Sequence, residues 1–243
     1  MGATKKEVSD YVEELVNWDV ATREDAAKNL GDIGDETVID PLLTAMKQDE
    51  SEDVRSAAAR SLGKLANDSK IPKEFAKAIF VEKSPIVRKA IADTLGDIGN
   101  TSAIKQMIPL LENEKSHWVR EAVIDAFGKN ASSDFGEIIL HHLKTDPSEE
   151  VRVQASISLL KCKSEIDLDS ILYCFKQETS DEVKSHIATL IAKIPDEKSV
   201  EFLTEALDSD EYKLTQAAVA EALHEIAIKL GYKDENEMLD SIE

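Results

Sequence analysis

Apolar residues along this chain fall at helical spacing twice in every thirty-odd residues, and then the pattern starts again. Over residues 86–98, Ile86, Val87, Ala90, Ile91, Leu95 and Ile98 mark one face of a 3.6-residue period. Gly99 follows, a residue able to take positive φ just beyond a helix end. A second stripe runs through Ala103, Ile104, Met107, Ile108, Leu110 and Leu111. The spacing predicts an antiparallel pair of helices of about a dozen residues each.

The pair recurs. Arg23, Arg55, Arg88, Arg120 and Arg152 are separated by 32, 33, 32 and 32 residues, and the column continues as Lys184 and Gln216. Seven positions after each stands Leu30, Leu62, Leu95, Phe127, Leu159, Ile191 or Leu223. The next position is Gly31, Gly63, Gly96 and Gly128, then Leu160, Ala192 and His224. One amphipathic pair cannot bury its own apolar face, so successive pairs must stack. The Leu-Gly step is expected where the first helix of a pair meets its neighbours. Glycine permits close approach there, Ala192 nearly matches it, and Leu160 requires local spreading.

The ends read as caps. Residues 5–17 place Val8, Tyr11, Val12, Leu15 and Val16 on one face. Residues 212–231 predict one long helix stopped by Gly231, and Asp234 with Glu237 makes a capping-box-like start for a last short helix. The expected fold is all-α: a right-handed α-α superhelix (a HEAT-like solenoid) of about seven helix-pair repeats with terminal caps. It is expected as a single domain over 1–243, with a capping helix at 1–17, six helix-pair repeats over 18–210, and a C-terminal repeat and cap over 211–243.

The stretches "EDVRSAAARSLGKLA" (52–66), "PIVRKAIADTLGDIGN" (85–100) and "REDAAKNLGDIGD" (23–35) carry a family likeness. They resemble the HEAT-like repeat of the phycobilisome-lyase (E–Z) type, whose pattern is roughly D-x-x-V-R-x-x-A-A-x-x-L-G-x-I-G-D. The resemblance covers about residues 18–230 and weakens after 150, where "EVRVQASISLLKCK" and "EVKSHIATLIAKIP" lose the glycines. It implies the solenoid fold and a structural role for the recurring arginine. It is nearly silent on function. Bilin lyases share these repeats, but the repeats alone do not confer lyase activity, and no residue here marks a chromophore site.

Charge changes the picture more than composition does. The formal net charge is −20, from 49 acidic against 29 basic residues. Such a field repels phosphate backbones and anionic lipid and attracts basic partners; the plainer alternative is that it serves solubility. No run reaches the roughly 18 apolar residues of a membrane span. "MGATKKEVSD" has no apolar stretch of signal length, and Lys6 stands where a myristoylation motif wants Ser or Thr. Cys162 and Cys174 fall inside helical patterns, as buried thiols rather than a disulfide or metal pair. Together these lead to the expectation of a cytoplasmic protein.

Little in the chain points to catalysis. Five of the six arginines occupy one repeat column, expected as a ladder to carboxylates or carbonyls, such as Asp32 or Asp97, rather than a phosphate-binding row. "LHE" at 223–225 resembles one of the His-Glu pairs with which deoxyhypusine hydroxylase holds two irons, but that enzyme needs four such pairs. His141 and His142 are adjacent, so on a helix they diverge and cannot chelate one ion well. Alkylpurine DNA glycosylases of HEAT-like fold rely on a basic concave face, the opposite sign to this chain. No P-loop or catalytic triad is present. No catalytic residue, metal or cofactor is therefore assigned.

Binding is the remaining class. Solenoids bind along the second helices, whose off-stripe residues point into the groove. The early repeats offer a lysine cluster, Lys70, Lys73, Lys77 and Lys105. The later ones offer Ile138, His141, Ile166, Tyr173 and Phe202, ringed by Asp134, Glu137, Asp169, Glu201 and Glu205. Apolar groups at wet positions serve as anchors, and carboxylates give register. The expectation is a non-catalytic scaffold that binds a protein or peptide, basic with apolar anchors, in this groove. The alternative is an enzyme or enzyme subunit, lyase-like or metal-dependent, with its active site there. Nucleic acid, by way of the lysines, is opposed by the overall field, and no membrane contact is expected. A register shift of one residue would turn Ile138 or Phe202 into core.

Overall fold

The computed structural model describes residues 7–65, 70–162, 167–207 and 213–242, and no strand occurs among them. The chain groups into two units, residues 1–130 and 131–243.

The first unit begins with a short helix, α1 (Val8–Glu14), followed by α2 (Val20–Ile33), α3 (Ile39–Gln48), α4 (Glu52–Gly63), α5 (Lys70–Val81) and α6 (Pro85–Ile98). The next second-helix position is split into α7 (Thr101–Lys105) and α8 (Ile108–Leu111), and α9 (His117–Asn130) closes the unit. Pro109 explains the split: it has no N–H to continue the ladder from α7. The first helices α2, α4, α6 and α9 pack in succession, and α3 and α5 lie beside them as the second helices. Gly34 (φ 75°) and Gly99 (φ 72°) end α2 and α6 in the left-handed conformation, the stop expected of Gly99.

The glycine column is where these first helices touch. A Cβ on Gly31 would sit 2.5 Å from Ser61 Cβ, one on Gly63 would sit 2.7 Å from Thr94 Cγ2, and one on Gly96 would sit 3.0 Å from Ala126. Each glycine thus meets a small residue six positions past the next arginine, which lets the helices close on buried Leu30, Leu62 and Leu95.

The second unit contains α10 (Gly136–Thr145), α11 (Glu149–Lys161), α12 (Leu168–Gln177), α13 (Asp181–Ile191), α14 (Glu197–Leu207), α15 (Lys213–Leu230) and α16 (Glu235–Ile242). Here α11, α13 and α15 stack, and α10, α12 and α14 pack against them. Gly231 (φ 92°) stops α15, and Asp234 Oδ1 caps Glu237 N of α16 at 3.0 Å, as expected of the capping signal.

The arginine column is a set of staples. Arg88 donates from Nε and Nη2 to the Glu114 carboxylate at 2.7 and 2.8 Å, and from Nη1 to the carbonyls of Glu82 and Lys83. Arg23 with Asp49, Arg55 with Glu82, and Arg152 with Glu178 repeat the two-pronged pairing. One guanidinium therefore joins the ends of two successive second helices to the start of a first helix. The carboxylate works twice, since Asp49, Glu82, Glu114 and Glu178 also accept the amides of Ser51, Ser84, Ser116 and Ser180.

The structural role holds, but the carboxylates are not the Asp32 and Asp97 expected. Those two lie at the far end of the first helices and pair with Lys64 and Lys129 instead.

Candidate functional site

In the unit of residues 131–243, the three second helices each bury one stripe and leave another in water. Helix α10 buries Ile139, Leu140 and Leu143 and exposes Glu137, His141 and Lys144. Helix α12 buries Ile171, Leu172, Cys174 and Phe175 and exposes Asp169, Tyr173 and Lys176. Helix α14 buries Val200, Phe202 and Leu203 and exposes Lys198, Glu201 and Glu205. The exposed residues recur at three- and four-residue steps, so each helix turns one wet face the same way along its length.

Side chains tie these faces together. Lys144 Nζ donates to Ser170 Oγ at 3.0 Å, linking α10 to α12, and Lys198 pairs with Asp169, linking α14 to α12. Between the ends of α10 and α12 lies a recess of about 190 Å³, lined by Lys144, Tyr173, Gln177 and the Arg152–Glu178 pair. That is below the roughly 300 Å³ at which small-molecule pockets begin. It suits one side chain or a stretch of extended backbone better than a cofactor.

Tyr173 stands at this recess with 56% of its surface exposed, the one large apolar group of α12 in water. Asp134, Glu137, His141, Asp169, Glu201 and Glu205 are exposed as expected, with Asp169 engaged by Lys198. Ile138 is half-buried, and Ile166 lies outside the described residues.

Phe202 is a correction. It is only 9% exposed, and its ring meets that of Phe175 edge-on, with centroids 5.3 Å apart at 87°. Lys176 Nζ lies 5.2 Å from its centroid on the outer side. Phe202 sits at the edge of the apolar stripe, next to fully buried Leu203, so a small rotation lays it on α12. Removing an aromatic ring from water and pairing it edge-on each contribute about 1 kcal/mol or more.

Three lysines complete the face: Lys198 is off-stripe in the sequence pattern but outside the candidate set, and the sequence reading missed Lys144 and Lys176. The same three- and four-residue steps that picked His141, Tyr173 and Glu201 lead to them. They make the face mixed in charge rather than purely acidic.

Histidines and thiols here are engaged or quiet. His142 Nδ1 lies 3.3 Å from Asp146 Oδ2, and His224 Nδ1 lies 2.7 Å from Glu235 Oε2. Burial raises the Cys162 thiol and pushes Cys174 up to about 11, away from the reactive thiolate. Among the described residues, no group of three or more His, Cys, Asp or Glu is placed to hold a metal ion. In the first unit, Lys70 pairs with Asp40 and Lys77 with Glu74, so the lysine cluster is interlaced with carboxylates.

Comparison with known proteins places this geometry. A profile of HEAT repeats matches residues 9–73 and 72–161, more than half of the chain. The chain belongs to the HEAT repeat family. Over 104 residues it is 36% identical to phycocyanobilin lyase subunit alpha of Picosynechococcus, an alignment covering 38% of each protein. The HEAT repeat chain therefore matches well under half the length of that curated relative. Among solved structures, it superposes on a chain from the complex of CpcE and CpcF of phycocyanin lyase from Nostoc (TM-score 0.57, 18% identity, 100% of this chain and 97% of that one). It also superposes on YibA of Escherichia coli (TM-score 0.67, 18% identity, 96% and 90%). At such identities these structures bear on the fold alone. Among the described residues, no helix is long and apolar enough to cross a membrane.

Proposed function

We propose that this HEAT repeat chain is a scaffold that binds a protein or peptide, without chemistry of its own, along the exposed faces of α10, α12 and α14. Tyr173 carries the proposal. Its ring is exposed on a helix that buries Ile171, Leu172 and Phe175, and it stands beside a recess sized for a side chain. Donors lie next to it in Lys144 and Gln177, and the carboxylates Glu137, Glu201 and Glu205 offer attraction to a cationic segment. A basic peptide with an apolar anchor fits this set, the anchor seated against Tyr173. The curated protein to which this chain is 36% identical over 104 residues is named a subunit, which supports a protein as partner.

Affinity capture from native lysate tests it. Tyr173→Ala and the pair Glu201→Lys, Glu205→Lys change exposed side chains, so the fold is retained, as circular dichroism would verify. Both variants should lose species that the wild type captures. If every captured species survives in both, the face is not the binding site.

A second reading is favoured by the 36% identity to a lyase subunit: a subunit that works on a bilin together with a second chain. Incubation with phycocyanobilin separates the two. A shifted visible spectrum that persists through gel filtration supports the lyase-like role, and an unshifted one supports the scaffold.

A further inference from the structure

The junctions from a second helix to the next first helix are built alike. The residue five places before each arginine gives its carbonyl to the guanidinium: Trp18, Glu50, Lys83, Lys115 and Pro147. What the junctions share at this position is the backbone carbonyl; Glu50 also pairs through its side chain, with Arg23 at 3.4 Å. Trp18 nevertheless puts an indole there, 89% exposed, and Val16 beside it is 84% exposed. Neither side chain is needed by the staple that holds the junction.

Both stand at the lip of a cleft of about 890 Å³ between α1 and α3, with Leu15 on its floor and Pro41 and Ala45 opposite. The corresponding clefts, between α5 and α8 and between α10 and α12, measure about 390 and 190 Å³. Helix α1 ends at Glu14, and the residues from Leu15 to Trp18 line the cleft together with Asp40, Pro41, Thr44 and Ala45. Two turns of helix, taken as a cylinder about 10 Å across, fill roughly 850 Å³. The space therefore matches a short helix laid alongside α3 in the second-helix layer.

Charge selects which helix. Residues 7–50 hold thirteen carboxylates and three cationic side chains. Those three are already paired, Arg23 with Asp49, Lys28 with Glu24 and Lys47 with Glu74. Of the carboxylates lining the cleft, Asp49 and Asp40 are paired with Arg23 and Lys70, whereas Glu50 touches Arg23 at 3.4 Å and keeps its side chain 84% exposed.

We propose that the α1–α3 cleft is a docking site for a basic amphipathic helix of a partner protein. Its apolar face covers Trp18 and Val16, and its lysines or arginines meet Glu50 within the acidic field of residues 7–50. A solvent-exposed tryptophan in a concave setting is the kind of anchor on which interface energy concentrates. This site is separate from the α10–α14 face and does not depend on it.

The chain's two tryptophans make the test local. In a Trp118→Phe background, Trp18 reports alone; in a Trp18→Phe background, Trp118 does. The probe is a synthetic Leu/Lys amphipathic helix, with a Leu/Glu helix of the same apolar pattern as its control. The Leu/Lys helix should shift Trp18 emission to the blue and shield it from acrylamide while leaving Trp118 unmoved. By anisotropy of the labelled helix, Trp18→Ala and Glu50→Lys should each bind at least tenfold more weakly, and Tyr173→Ala should bind as the wild type does. Several outcomes overturn the proposal: an unmoved Trp18, equal movement of both tryptophans as in general cationic adhesion, or equal binding of the Leu/Glu helix. A blue shift that grows with protein concentration alone, with a dimer in sedimentation, assigns the cleft to a second copy and overturns it as well.

Discussion

Arg88 and Glu114 show what one residue pair does in this fold. Their side chains are 15% and 4% exposed, and the pairing is two-pronged. Burial alone would raise the Glu114 carboxyl, but the Arg88 guanidinium and the Ser116 amide outweigh it and hold the group below its ordinary 4.5. A folded-state value below the unfolded one means the unfolded chain binds the proton more readily. The pair's stabilisation is therefore full above about pH 4.5 and is lost as pH falls through the folded value. Glu114→Gln should cost about 2 kcal/mol at pH 7, the worth of hydrogen bonds to a charged group. Urea unfolding at a series of pH values should show that gap closing below pH 4.5. A gap that stays constant would mean the carboxylate's charge is irrelevant. Comparing variant with wild type cancels the opposing gain that a chain of net charge −20 obtains when its exposed carboxylates protonate. The arginine's structural role was legible from its recurrence alone. Its partner was not, because the carboxylate lies 26 or 27 residues on and is Asp49 in one repeat and Glu82, Glu114 or Glu178 in others. Phe202 was misplaced for a related reason: periodicity gives the centre of a buried stripe well and its edge poorly.

Between helices, the glycine column sets how closely the repeats approach, and here the sequence was nearly transparent. Glycine beside leucine at a fixed step announced a helix crossing, and the crossings at Gly31, Gly63 and Gly96 carry it out. What the pattern left unstated is the other half of the contact: Ser61, Thr94 and Ala126, three different small residues in one column. That difference makes the glycines unequal. An added methyl at Gly63 meets a threonine Cγ2 at 2.7 Å, a group that can rotate or be removed. At Gly31 the nearest atoms are Ser61 Cβ at 2.5 Å and its Cα at 2.8 Å, so only movement of the helices relieves it. Replacing glycine in these last helical turns returns at most about 1 kcal/mol of helix propensity, against about 1–3 kcal/mol for overpacking. Gly63→Ala should therefore fall close to neutral when combined with Thr94→Ser. Gly31→Ala should remain destabilised by about 2 kcal/mol even when combined with Ser61→Gly. Thermal melts of the two double variants decide it, and equal melting temperatures would refute the distinction.

Along the whole chain, both devices thin out in the same direction. Residues 1–130 contain the two-pronged staples of Arg23, Arg55 and Arg88 and the three tight glycine contacts. In residues 131–243 the staple of Arg152 is followed in the column by Lys184 and Gln216, neither of which can present a guanidinium fork, and the glycine column reads Leu160, Ala192 and His224. In repeat proteins, stability is close to a sum of local terms, so such a gradient should survive as a gradient in local opening. A second effect runs the same way: residues 131–243 hold 25 carboxylates against 11 basic side chains, residues 1–130 hold 24 against 18, and the greater repulsion weakens the less-stapled end further. The two differ in range. Staples act at about 3 Å and partly out of water, whereas repulsion among exposed charges is largely screened beyond about 8 Å at physiological salt. Hydrogen exchange at that ionic strength should therefore find the amides of α4 and α6 opening with free energies about 2 kcal/mol above those of α13 and α14. At 0.01 M salt, where screening reaches only beyond about 30 Å, repulsion in the more negative residues 131–243 is felt more and the difference should widen. Equal protection of α4 and α13 at physiological salt would show that the staples and glycines do not set local stability.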